Sequence, residues 1–141
     1  MTDLVVDTSA AVAILDAEPE RQALVTALER AGLKVMSPVS LVELGMVLEG
    51  RRGTATRGAA DRFVRDAGID VVAVSQSHAD GAIAGWRRFG KGRHRARLNL
   101  GDCFTYALAV ASDLPILCVG TDFARTDVDV VELSPEGGSG P

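Results

Sequence analysis

Leu4-Val5-Val6-Asp7-Thr8-Ser9-Ala10 reads as a short buried strand that ends on a carboxylate and turns into a helix. A run that is apolar at every position, without polar alternation, belongs to a strand covered on both faces, as in a parallel sheet. Working outward, Lys34–Met36, Ile69–Val74, Ile116–Val119 and Val128–Leu133 are the other expected strands. Helical patterns separate them. Ala10–Asp16 is expected as a helix capped by Thr8 or Ser9. Pro19–Ala31 has Pro at a first helical position and Gly32 as a stop. Ser37-Pro38 starts a helix to Arg52, with Leu41, Leu44, Val47 and Leu48 at helical spacing and Gly53 after it. Thr56–Ala67, Ser77–Arg88 and Leu100–Ser112 complete the helices, and Phe123–Thr126 is a turn or short helix. Strands alternating with helices predict a three-layer α/β/α sandwich around a central, mainly parallel sheet. A chain of 141 residues makes one such domain, expected over 1–134, with a disordered tail at 135–141.

Four acids punctuate this pattern. Asp7 closes the first strand, Glu43 interrupts Pro38-Val39-Ser40-Leu41-Val42-Glu43-Leu44, Asp102 opens the Cys103–Ala111 stretch, and Asp122 follows Ile116–Thr121. A carboxylate buried in apolar surroundings costs several kcal/mol unless a cation meets it. Spacings of 36, 59 and 20 residues are no local motif. They make sense if the fold gathers the four beyond the carboxyl ends of parallel strands, where sites form in open α/β sheets. Each acid also has a plainer reading: Asp7, Asp102 and Asp122 as helix caps, Glu43 as a half-exposed helical glutamate. The joint pattern carries the claim.

Carboxylate oxygens suit Mg²⁺ or Mn²⁺ better than zinc, and no His/Cys set exists for zinc. Such an ion can lower the pKa of a bound water and neutralise charge on a phosphate under attack. Thr8, Ser9, Asn99 and Thr121 flank the acids and are candidates to hydrogen-bond to them or to phosphate. His78 and His94 lie apart with no triad partners. Asp127 and Asp129 read as solvent-facing or capping residues.

The net charge is −4, which by itself disfavours nucleic acid, yet distribution matters more. Without the four candidate metal-binding carboxylates the rest of the chain is neutral. Arg87, Arg88, Lys91, Arg93, Arg95 and Arg97 fall within eleven residues with no acid among them. This segment is either a solvated loop or a phosphate-contacting rim. Arg51 and Arg52 either extend it or are plain helix ends. Trp86, Phe104 and Tyr106 are too few and scattered to indicate base stacking, with Phe104 and Tyr106 expected in or near the core. No apolar run approaches the roughly 18 residues of a membrane span, and no signal peptide is legible. Cys103 and Cys118 fit reduced core thiols, so a cytoplasmic location is expected.

Val5-Val6-Asp7-Thr8-Ser9-Ala10, Ser40-Leu41-Val42-Glu43-Leu44, Leu98-Asn99-Leu100-Gly101-Asp102-Cys103-Phe104 and Val119-Gly120-Thr121-Asp122-Phe123 together resemble a PIN domain. In particular they are similar to the VapC toxins of type II toxin–antitoxin pairs. The motifs are weak singly and strong as an ordered set covering nearly the whole chain. The resemblance implies an Mg²⁺- or Mn²⁺-dependent endoribonuclease that inhibits translation, with Asp7, Glu43, Asp102 and Asp122 as its metal and catalytic cluster. It implies hydrolysis of single-stranded or loop RNA (tRNA, rRNA or mRNA) to 5′-phosphate and 3′-hydroxyl ends. It also implies a homodimer and a VapB-type antitoxin whose C-terminal segment covers the active-site groove. The alternative is a catalytically silent PIN-like binding module that acts only through its antitoxin. A phosphoacceptor receiver domain would want adjacent acids after the first strand, and a haloacid-dehalogenase-type phosphatase a second Asp where this chain has Ser9. Both are disfavoured.

Overall fold

The computed structural model describes residues 2–134. The tail expected at 135–141 lies outside the described residues. Four strands form one parallel sheet: β1 (Leu4–Val6), β2 (Lys34–Met36), β3 (Asp70–Val71) and β4 (Ile116–Leu117), in the order β3-β2-β1-β4. Six helices flank it: α1 (Thr8–Leu15), α2 (Arg21–Arg30), α3 (Pro38–Arg52), α4 (Ala59–Asp66), α5 (Gln76–Phe89) and α6 (Leu100–Ser112).

The period of two along the strands divides the core into two layers. Leu4, Val6, Met36 and Leu117 point into one cluster with residues of α1, α2, α3 and α4. Val5, Val35 and Ile116 point into the other, against α5 and α6. The aliphatic run at 4–6 is therefore buried on both sides, and the three-layer sandwich follows from it. No helix of the described residues is long and apolar enough to cross a membrane.

Several boundaries differ from the sequence expectation. The third strand spans Asp70–Val71 rather than Ile69–Val74, because β2 offers it only Val35 and Met36 before Ser37 caps α3. The expected fifth strand at Val128–Leu133 is reduced to a single parallel bridge, Ile116 with Val130. Its partner β4 has two strand residues, and the chain then turns at Gly120 with φ +95°. The helix expected from Thr56 is split: a 3₁₀ turn at Thr54–Thr56 is followed by left-handed Gly58, and α4 begins at Ala59. The cap of α1 is Asp7, not Thr8 or Ser9. The helix expected from Pro19 starts at Arg21.

At the far ends of α1 and α3, Arg51 meets Asp16 at 2.5 Å, and Arg52 pairs with Asp16 and donates to the Leu15 carbonyl at 3.1 Å. These arginines tie two helices together. Asp127 likewise has partners: it accepts from the Tyr106 hydroxyl at 2.8 Å and from Arg88 at 3.0 Å.

Candidate active site

Asp7 leaves the carboxyl end of β1, the central strand neighbouring both β2 and β4. It is 4% exposed. Its Oδ2 accepts from the Ser9 amide at 3.0 Å and the Ser9 hydroxyl at 2.7 Å. Its Oδ1 accepts from the Thr105 hydroxyl at 3.0 Å. Burial raises the Asp7 pKa, and these donors act against the rise. The capping reading and the site reading are both met by one side chain: Asp7 caps α1, which sets its carboxyl at the helix N-terminus, where the dipole favours negative charge.

Glu43 comes from the middle of α3, which crosses the same sheet edge because Ser37 caps it directly after β2. Its Oε1 accepts from the Thr8 hydroxyl at 3.0 Å. Thr8 also lies 3.2 Å from the Ser40 carbonyl. On its other side the Glu43 carboxylate lies against the bare backbone of Gly101, where a Cβ would overlap it. That contact explains a glycine in the first turn of α6, where it otherwise weakens the helix by roughly 1 kcal/mol. Burial raises the Glu43 pKa, and the Asp7 charge adds to the rise.

Asp102 is the third residue of α6 and shares a reciprocal cap with Asn99. The Asn99 amide donates to Asp102 Oδ2 at 3.1 Å, and the Asp102 amide donates to Asn99 Oδ1 at 2.9 Å. Its carboxyl is pushed up to about 6, first by burial and then by the charges of Asp7, Glu43 and Asp122. Acids from four separate segments thus act on one another at one edge of the sheet. Asp122 is exposed and opens the 3₁₀ turn Phe123–Arg125. Burial and the charges of Asp7, Asp102 and Asp122 also lift the Cys118 thiol to about 12, so this cysteine is an inert neighbour.

Among the described residues no three Asp, Glu, His or Cys side chains are drawn into a ready-made cation cage. Asp7, Glu43 and Asp102 are each turned onto their own donors.

Of the flanking polar residues, Thr8 holds Glu43, Ser9 holds Asp7 and also accepts from the Val119 amide at 3.0 Å, and Asn99 holds Asp102. Thr121 is exposed and makes no side-chain hydrogen bond among the described residues. Two supports were missed by sequence reasoning, Ser40 and Thr105. Their hydroxyls meet at 3.0 Å in the buried layer beneath Asp7. Ser40 precedes Glu43 by three residues and Thr105 follows Asp102 by three. That helical spacing places each on its acid's face and was the available signal.

The basic segment is a folded clip. Leu98 donates to the Phe89 carbonyl and Lys91 to the Leu98 carbonyl, both at 2.9 Å. Ala96 and Leu98 are fully buried beneath it, and His94 Nδ1 accepts from the Ala96 amide at 3.0 Å. Arg87, Lys91, Arg95 and Arg97 are exposed. Arg88 is held by Asp127, and the Arg93 guanidinium lies 4.5 Å from the Trp86 ring centroid.

The PIN domain family model matches residues 4–129. Ribonuclease VapC30 of Mycobacterium tuberculosis is 44% identical over 130 residues, covering 92% of this chain and 99% of that protein. The fold is similar to the crystal structure of Mycobacterium tuberculosis VapC20, described as a sarcin–ricin loop cleaving toxin. The TM-score is 0.76 at 19% identity, covering 94% of this chain and all of that one. VapBC2 from Rickettsia felis, bound to a promoter DNA fragment, aligns with a TM-score of 0.70 at 13% identity, over 93% of this chain and 98% of that one. With the fold, the acidic edge and these likenesses together, the chain belongs to the PIN-domain family and, within it, to the VapC group.

Proposed function

We propose that this protein is a divalent-metal-dependent endoribonuclease and the toxin of a VapBC-type pair. The observation that carries the reading is the gathering of Asp7, Glu43 and Asp122 around Asp102, where their charges add to burial in lifting its carboxyl to about 6. Carboxylates from four segments, held close enough for three of them to raise the pKa of Asp102, are costly without a cation. Their all-oxygen donor set fits Mg²⁺ or Mn²⁺. Asp7, Glu43, Asp102 and Asp122 would hold the ion, which when bound activates water and offsets phosphate charge.

The chain's own residues supply the rest. Ser9 and Thr105 orient Asp7 through three hydrogen bonds. Thr8 orients Glu43, and Gly101 lets it approach α6. Asn99 orients Asp102 through a reciprocal pair of hydrogen bonds. The exposed cations at 87–97 meet the phosphates on either side of the reacting bond. Likeness to proteins named VapC ribonucleases supports RNA as the substrate, and likeness to VapBC2 supports an antitoxin partner. A cytoplasmic homodimer that arrests translation until the antitoxin covers the site completes the proposal.

The test is cleavage of total bacterial RNA by the antitoxin-free protein in Mg²⁺, Mn²⁺ or EDTA, beside Asp7→Asn. Discrete fragments that need metal and vanish in the variant support the nuclease. A folded protein that cuts nothing in either metal would return the chain to the silent binding module.

A further inference from the structure

We infer that the groove between α5 and α6 receives an unstacked nucleobase of the RNA, beside the bond to be cut. The inference rests on the ribonuclease reading above and deepens it. Trp86 and Phe104, scattered in sequence, line one groove of about 460 Å³ with Ile83, Leu98 and Leu100. That size lies within the roughly 300–1,000 Å³ usual for small-ligand sites. Its apolar wall is left open to solvent: Ile83 is 47%, Trp86 45% and Leu100 74% exposed.

Three features select a base as the occupant. The Trp86 ring is already ordered: it packs on the backbone of Gly90, where a Cβ would come within 2.5 Å of it, and lies under Arg93. A pre-ordered aromatic surface loses little freedom when a base stacks on it. The rim is cationic, with Lys91 in the wall, and no acid lines the groove, which complements a polyanion. Finally, the groove shares a wall with the candidate active site. Asn99 lines it and exchanges both hydrogen bonds with Asp102. Asn99 thus stands between the groove and the acids, so one RNA strand can meet both. Single-stranded RNA, whose bases splay out to stack on aromatic side chains, is the form that can do this.

Trp86 is the chain's one tryptophan, so its fluorescence reports on the groove directly. The experiment titrates full-length protein in EDTA with single-stranded RNA of about eight nucleotides, and with the same oligonucleotide made abasic along its length. Saturable quenching by the first, much weaker quenching by the second, and roughly tenfold weaker RNA binding in Leu100→Ser and Phe104→Ala support the groove. RNA that is cleaved in Mg²⁺ but leaves Trp86 unquenched overturns the inference and spares the nuclease reading. Base-dependent quenching with no cleavage in any metal keeps the groove and removes the nuclease. If Leu100→Ser instead turns a dimer into monomers and RNA affinity is unchanged, a second copy of the chain covers this face and the inference fails.

Discussion

The acidic edge and the basic clip are both charged surfaces, and they are built in opposite ways. Asp7 and Asp102 emerge from a strand end and a helix start and Glu43 from the middle of α3; all three are wholly or partly buried, and each accepts hydrogen bonds from named donors. Arg87, Lys91, Arg95 and Arg97 sit on an ordered backbone, but their side chains are exposed. Burial raises the pKa of each of these acids, whereas the cations of the clip stay in contact with water. Chemistry at one phosphate needs fixed atoms; attraction of a polyanion needs only charge density. The contrast predicts that small changes at the acidic edge have large effects and that changes at the clip are graded.

Asp7→Asn keeps the size and most hydrogen bonds of the carboxylate and removes its charge. Metal-dependent cleavage should fall on the order of 10²-fold or more, the scale of losing one preorganised electrostatic group. Circular dichroism should stay unchanged. Gly101→Ala comes next. The added Cβ overlaps the Glu43 carboxylate, so thermal unfolding should show destabilisation of about 1–3 kcal/mol, despite the better helix propensity of alanine. Pairing it with Glu43→Ala, which makes room, should recover stability without activity. Full stability in Gly101→Ala alone would show that Glu43 moves freely.

Replacing Arg93, Arg95 and Arg97 together by Ala should weaken RNA binding and flatten its dependence on log salt concentration by about two in slope. A slope equal to wild type would make the clip a solvated surface.

The smallest effect is on metal-free stability. The Asp102 carboxyl is raised from 3.8 to about 6, so the fold favours its protonated form. That contribution is fully present below about pH 4 and is lost as pH rises through 6. In EDTA the melting temperature of wild type should fall across this window. Asp102→Asn should fall less and melt a few degrees higher at pH 7. A variant that melts well below wild type would make Asp102 a structural cap only.

Much of the positive scaffold was legible in the chain. Leu4–Val6 read as a strand buried on both faces, which is what it forms, and Asp7 leaves its carboxyl end. Ser37-Pro38 and Gly53 bounded α3 by local cap chemistry alone. Features that depend on a partner were not legible. The fifth strand shrank to one bridge because β4 is two residues long, which no reading of Val128–Leu133 itself reveals. Asp7 displaced Thr8 and Ser9 as the cap because those hydroxyls were needed by Glu43 and by Asp7. Thr105 and Ser40 meet only when α3 and α6 pack together, 65 residues apart in sequence. The presence of Trp86 and Phe104 in one groove is likewise a product of α5 lying on α6.

The central claim is that four acids serve one cation site, and Mn²⁺ binding tests it without any substrate. Calorimetric or paramagnetic titration of wild type at pH 7, beside Asp7→Asn, Glu43→Gln, Asp102→Asn and Asp122→Asn, should show saturable binding that every variant weakens. Wild-type affinity should also drop at pH 5, where Asp102 is protonated. Mn²⁺ affinity that is the same in wild type and all four variants would contradict the account.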